Sequence, residues 1–261
     1  MRETVLPLAG TEAGRAQLAI GAGGDRTMEL DRAAEADVFA ELDALAARGE
    51  RFAILSEEAG HRRLGADYPL VLVDPVDGSL NAKQGVPFFG VMLALLDGPL
   101  IGDTVAGCVV NLVTGDAWTA IRGQGAWRGG KPIVSRQMRG VMSRQGRDRL
   151  ELVALESTPS ALVHARGLTQ RAGKIRILGS MALAIAHTAA GSFDAFCAPV
   201  PVRVFDMAAS LLILAETGGV ATDLKGNALS ALSSGLETRT SLVCAPTPQL
   251  HAIALSALAA E

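Results

Sequence analysis

The sequence predicts a layered α/β protein, an α+β N-terminal part followed by an α/β C-terminal part, and three observations carry that expectation. The first half holds short apolar runs joined by turn-rich links, the pattern of strands that pair antiparallel. From about Leu150 onward, strand-like and helix-like periodicities alternate. With 261 residues, 49% of them hydrophobic, the chain is long enough to close a substantial core without disulfides or a structural metal.

Residues 31–47 read as the first helix, because Ala34, Val38, Leu42, Leu45 and Ala46 recur at helical spacing; Gly49 ends it. Residues 52–55 and 70–73 read as buried strands with acids at their C-terminal ends. Residues 88–96, 104–111 and 116–122 predict an antiparallel meander, with Val113-Thr114-Gly115 as the link between the last two. The polar stretch 129–149 lacks apolar periodicity and is the expected boundary between an N-terminal part, 1–135, and a C-terminal part, 136–261, that form one unit. Beyond it the pattern predicts a strand at 150–155, a helix at 181–190 closed by Gly191, and a strand at 193–197. A helix at 207–216 stopped by Gly218-Gly219 follows, and Thr247-Pro248 opens a last one that runs to residue 260.

A formal charge of -3 provides no broad positive field, so nucleic acid is not an expected partner. Cys108, Cys197 and Cys244 lie far apart and form no CxxC pair, which encodes neither a zinc cluster nor a disulfide framework and fits a reducing cytoplasm. No segment reaches about 18 uninterrupted apolar residues, and no basic head precedes an apolar stretch, so the expected protein is soluble and unprocessed, with no membrane partner.

The acids are the informative residues. Asp74-Pro75-Val76-Asp77-Gly78-Ser79 puts two carboxylates three positions apart across a proline-stiffened turn. Oxygen donors converging there suit a hard cation such as Mg²⁺, with the Val76 carbonyl able to join them, and free amides at Gly78 and Ser79 offer an anion site beside it. The plain alternative is that Asp-Pro and Asp-Gly are common turn formers. Against it stand Glu57 and Glu58 at the end of the neighbouring strand and Asp206 at the start of an Ala-rich helix. Acids gathered at the ends of several apolar runs would face a low-dielectric core edge without a counter-charge.

Several separated blocks, in order, carry a resemblance: Gly23-Gly24-Asp25 with Thr27 and Asp31, Ser56-Glu57-Glu58-Ala59-Gly60, and Asp74 to Asn81 followed by Gly85-Val86-Pro87-Phe88. Gly123-Gln124-Gly125-Ala126, Gly179-Ser180, Asp206-Met207-Ala208-Ala209 and Glu216-Thr217-Gly218-Gly219 complete them. Over nearly its whole length the chain resembles the inositol monophosphatase and fructose-1,6-bisphosphatase superfamily of Mg²⁺-dependent sugar phosphatases, in its archaeal-type, dual-specificity branch.

The resemblance implies the layered αβαβα sugar-phosphatase fold and two or three Mg²⁺ per site, with Mn²⁺ as a substitute. It implies that Glu57, Asp74 and the Val76 carbonyl hold the first metal and that Asp74, Asp77 and Asp206 hold the second. Ser79 would contact phosphate and orient the attacking water, Asp31 would bind that water or a third metal, and Glu58 would lie behind the ligands. Asp77 and the Gly78 and Ser79 amides would meet the substrate, with Gly179, Ser180 and Met181 in the loop that touches its hydroxyls. The implied reaction is in-line hydrolysis of a small sugar or polyol phosphate, inositol 1-phosphate or fructose 1,6-bisphosphate, by a homodimer. Related readings are a 3′-phosphoadenosine 5′-phosphate phosphatase, or a sugar-phosphate binding protein without activity. Ala198-Pro199-Val200-Pro201 replaces the acid that many inositol-preferring members carry, and Arg203 stands three residues before Asp206, where a guanidinium could pair with a second phosphate or with a metal-site carboxylate.

Overall fold

The structure, a computed structural model, describes residues 1–24, 26–134, 142–144 and 147–259. The boundary expected between 135 and 136 therefore lies outside the described residues, as does Asp25.

A short helix α1 (Arg2–Val5) and a hairpin, β1 (Gln17–Ile20) with β2 (Arg26–Met28), lead into the long helix α2 (Glu29–Ala47). The helix starts two residues before its expected position because the Asp31 carboxylate accepts the Met28 amide at 2.9 Å and closes the first turn. Next come β3 (Phe52–Ser56), β4 (Gly60–Asp77), the single-turn helix α3 (Ser79–Gln84), β5 (Gly90–Leu96), β6 (Thr104–Asn111), β7 (Ala117–Ile121), β8 (Gly125–Arg128) and β9 (Lys131–Pro132). They form a seven-stranded sheet in sequence order, so the expected meander is present and extends through β8 and β9.

The strand expected at 70–73 is the second half of β4. Its first half begins at Gly60 and runs along β3 with Ser56 opposite Gly60, while the second half runs along the same strand with Ser56 opposite Val73. His61 is in this strand, exposed at its surface.

The second sheet is assembled from β10 (Met142–Arg144), β11 (Arg147–Leu155), β12 (Ala172–Ile177), β13 (Ala195–Arg203), β14 (Val220–Thr222) and β15 (Arg239–Ala245). Helices α4 (Pro159–His164) and α5 (Arg166–Arg171) connect β11 to β12, α6 (Met181–Ala189) connects β12 to β13, α7 (Ala208–Glu216) follows β13 and α8 (Pro248–Leu258) closes the chain. Strand β11 lies parallel to both β12 and β13. The strand expected to stop at residue 197 continues to Arg203 through Pro199 and Pro201, because both prolines fall in the register break between Ala198 and Val202 where no ladder amide is needed.

Period-two alternation explains the layers. Leu72, Met92, Phe196 and Cys244 face inward with the apolar helices α6 and α7 between the two sheets. Val73 and Val91 point the other way, onto Leu30, Ala34, Val38 and Leu42 of α2. Cys197 and Val243 point outward from the second sheet, onto Leu168 of α5 and Leu250, Ile253 and Ala254 of α8. The order is helix, sheet, helix, sheet, helix, and each fully buried Leu or Ile in it contributes on the order of 2 kcal/mol. No helix among the described residues is long and apolar enough to cross a membrane.

Candidate metal centre and substrate pocket

The acids gather because the elements that carry them end at the same place. Glu57 is the residue after β3, and its amide donates to Val73 of β4 at 3.2 Å, so the chain beyond the strand stays tied to its neighbour. Asp74 lies in β4, where its Oδ1 accepts the Val76 amide at 3.0 Å; Asp77 ends the strand. Gly78 follows at φ +90°, and a side chain there would meet the Gly179 carbonyl at 3.0 Å, so only glycine permits this approach of two loops. Asp206 comes from the far sheet, in the single turn that joins β13 to α7.

Carboxylate oxygens of Glu57, Asp74 and Asp206 lie within 4.8 Å of one another. They line a crevice of about 100 Å³ together with Asp31, Glu58, Val76, Asp77, Gly78, Ser79 and Arg203. Every residue expected to hold metal thus faces one crevice. Asp77 is the exception in its bonding: its carboxylate accepts from the Ser180 hydroxyl and from the amides of Met181 at 3.0 Å, Ala182 at 2.9 Å and Leu183 at 3.4 Å. It caps α6, and so joins the acidic crevice to the loop expected to recognise substrate.

Arg203 reaches into the acidic cluster. Its guanidinium bonds to Glu57 and, through Nε at 3.0 Å, to Asp206, so it pairs with carboxylates of the acidic cluster. A hairpin loop presses on it from above: a side chain at Gly23 would lie 2.7 Å from the guanidinium and 3.0 Å from Glu57.

Burial dominates the electrostatics. It pushes Glu57 up to about 8, helped by the Asp206 charge and opposed by Arg203. Asp206 rises to about 6 for the same reason, again with Arg203 pulling it back. Desolvation raises Asp74 well above the carboxylate range, and the charges of Glu57, Asp206 and Asp77 add to it. Asp77 is raised by burial against the pull of its four donors. Asp31 rises to about 7 by burial, with Glu58 and Glu35 nearby, although the Met28 amide favours its charged form. Asp31 Oδ1 and Asp206 Oδ1 are buried without a hydrogen-bond partner among the described residues. An all-oxygen, desolvated set with spare lone pairs and crowded negative charge fits a hard divalent cation.

A second cavity of about 480 Å³ opens beside the crevice, and Asp77, Arg203 and Asp206 line both. Gly179, Ser180 and Met181 form one wall, as expected, and Glu156, Ser157, Thr158 and Arg239 form others. The cavity lies at the C-terminal ends of the parallel strands β11 and β13, where α/β sheets place their ligands. Sequence reasoning missed Glu35, which accepts the Ser56 hydroxyl and the Ala59 amide at 3.0 Å and holds the turn that presents Glu57. The available signal was its place one helical turn after Asp31. It also missed Glu156 and Arg239, which line the cavity.

A family described as the inositol monophosphatase family matches residues 11–261. The fructose-1,6-bisphosphatase/inositol-1-monophosphatase of Methanothermobacter thermautotrophicus is 35% identical, over 96% of this chain and 90% of its own. The bifunctional NADP phosphatase/NAD kinase of Methanococcus maripaludis is 28% identical over 94% of this chain and 45% of its own. A solved structure described as an inositol monophosphatase-fructose 1,6-bisphosphatase shares the fold with a TM-score of 0.82 at 23% identity, over 98% of this chain and 94% of that one. With a match across almost its entire length and an acidic centre of the kind a metal-dependent phosphatase requires, the chain belongs to the inositol monophosphatase family of phosphomonoester hydrolases.

Proposed function

We propose that the protein is a Mg²⁺-dependent phosphomonoesterase acting on a small polyol or sugar phosphate, inositol 1-phosphate or fructose 1,6-bisphosphate, with Mn²⁺ able to replace Mg²⁺. The observation that carries this reading is the approach of carboxylate oxygens of Glu57, Asp74 and Asp206 to within 4.8 Å of one another in a crevice that shares Asp77, Arg203 and Asp206 with a larger cavity. Glu57, Asp74, the Val76 carbonyl, Asp77 and Asp206 would hold two or three cations, which when bound would neutralise phosphoryl oxygens and acidify the attacking water. The Gly78 and Ser79 amides seat the phosphate, and the Ser79 hydroxyl orients the water. Asp31 Oδ1, buried and without a hydrogen-bond partner among the described residues, takes the proton that the water gives up. Asp77, Gly179, Ser180, Met181 and Arg203 shape the side where the alcohol lies.

The reading includes a division of labour between residues 1–135, which carry most ligands, and 136–261, which carry Asp206 and the substrate loop. It also includes a homodimer in a reducing cytoplasm, supported by three free thiols at Cys108, Cys197 and Cys244. The pocket's aromatic lining residue, Phe196, is 2% exposed and offers no open face on which an adenine could stack.

The test is phosphate release by the purified protein with Mg²⁺ from inositol 1-phosphate, fructose 1,6-bisphosphate, NADP and 3′-phosphoadenosine 5′-phosphate. Turnover of either polyol ester above the nucleotides supports the proposal. Preference for a nucleotide, or tight binding of the polyol esters without release, overturns it.

A further inference from the structure

Asn81 lies in α3, the turn of helix that begins with Ser79, and its side chain faces away from the crevice toward the substrate loop. Its Nδ2 donates to two carbonyls from separate segments, Phe88 at 2.7 Å and Leu178 at 2.6 Å. Phe88 leads into β5 of the first sheet, and Leu178 is the residue before Gly179. One amide group therefore ties the phosphate turn, the first sheet and the loop at the pocket wall.

The loop has closed down on this amide. Gly179 adopts φ +74°, and a side chain there would meet Asn81 Nδ2 at 2.9 Å and Oδ1 at 3.0 Å. Two carbonyl oxygens face the same point, so the position requires a donor of this size. An aspartate would place negative charge against both, and a smaller residue would leave them without a partner.

We propose that Asn81 is a positioning residue that sets the distance between the phosphate seat and the polyol-recognising loop, and so determines selectivity for polyol esters over esters lacking hydroxyls. The proposal rests on the function assigned above, because it assumes that Gly179 to Met181 meet the alcohol. Phosphate and metals would be held from the crevice side, where Asn81 is not among the lining residues. Its loss should weaken capture of the alcohol and leave the hydrolytic centre in place.

The experiment compares Asn81→Asp and Asn81→Ser with the parent protein on inositol 1-phosphate, fructose 1,6-bisphosphate and p-nitrophenyl phosphate, all with saturating Mg²⁺. The last substrate has no hydroxyls for the loop to read. The ratio of kcat/KM for the better polyol ester to kcat/KM for p-nitrophenyl phosphate does not depend on how much of a sample is folded. The expected result is a fall in that ratio of at least tenfold in both variants, through a higher KM for the polyol ester, with kcat within threefold. A ratio within twofold of the parent overturns the inference and leaves the function standing. A parent protein that hydrolyses neither polyol ester overturns the function and the inference with it.

Discussion

The Asp77 carboxylate and the Ser180 hydroxyl, 103 positions apart in the chain, form a buried hydrogen bond that joins the acidic crevice to the first turn of α6. Three amides of that turn complete the clamp. Asp77 thus has a structural task beside the one expected of it in metal binding, and replacement should register in both.

Asp77→Asn is expected to reduce kcat/KM by at least about a hundredfold, since a charge facing the cations is lost. Because asparagine keeps one acceptor but turns an N–H₂ toward amide donors, it is also expected to cost about 1–3 kcal/mol of stability. Steady-state kinetics and urea unfolding read the two effects separately. Parent-like kinetics would remove Asp77 from the site.

Arg203 stands between Glu57 and Asp206 as their internal counter-charge. Arg203→Met should therefore leave uncompensated buried carboxylates and lower the stability of the metal-free protein by about 3 kcal/mol. Added Mg²⁺ should raise the melting temperature of this variant more than that of the parent. Equal shifts in thermal melts would show that Arg203 does not share its carboxylates with the cation.

The raised carboxyls give the metal-free protein a defined pH dependence. Asp206, Asp31 and Glu57 titrate near 6, 7 and 8 in the fold, against about 4 when unfolded. Below pH 4 they are neutral in both states; as pH rises toward 8 the folded state must ionise them at a cost, so stability falls across that window. A bound cation favours the ionised forms, and the Mg²⁺-induced increase in melting temperature should be larger at pH 8.5 than at pH 6. Melts in both buffers, with and without Mg²⁺, check the sign; an increase that shrinks with pH would contradict it.

His187 predicts the opposite slope at acid pH. Burial among Phe88, Trp118 and Phe193, with Arg128 nearby, lowers it to about 4 from its ordinary value of 6.5. Its neutral form supports the fold above pH 6.5, and about 3 kcal/mol of that support is lost as pH falls from 6.5 to 4. His187→Phe should retain the aromatic packing and flatten this part of the profile. Parallel pH profiles for parent and variant, measured by urea unfolding, would exclude the assignment.

The acids of the crevice were legible because each follows an apolar run: Glu57 after 52–56, Asp74 and Asp77 at the end of β4, Asp206 after β13. The meander and the helices α2, α6, α7 and α8 were legible for the same reason, since their apolar spacing is local. Hidden were features settled by distant partners. Strand β4 doubles along β3 through a polar stretch whose burial pattern alternates only weakly. Pro199 and Pro201 concealed the second half of β13, whose register break is a property of its pairing with β15. Asn81 and the cap that Asp77 places on α6 depend on contacts between segments that no spacing rule connects, and for Glu35 the sequence offers only its place one helical turn after Asp31.

Glu57, Asp74 and Asp206 are expected to grip a common divalent cation. Anomalous diffraction from crystals soaked in Mn²⁺ and phosphate tests it most directly. At least one Mn²⁺ peak is expected within coordination distance of oxygens from all three carboxylates, with phosphate against Gly78 and Ser79. A fully occupied Mn²⁺ elsewhere, with Arg203 still bridging Glu57 and Asp206 and the crevice free of metal, would contradict it.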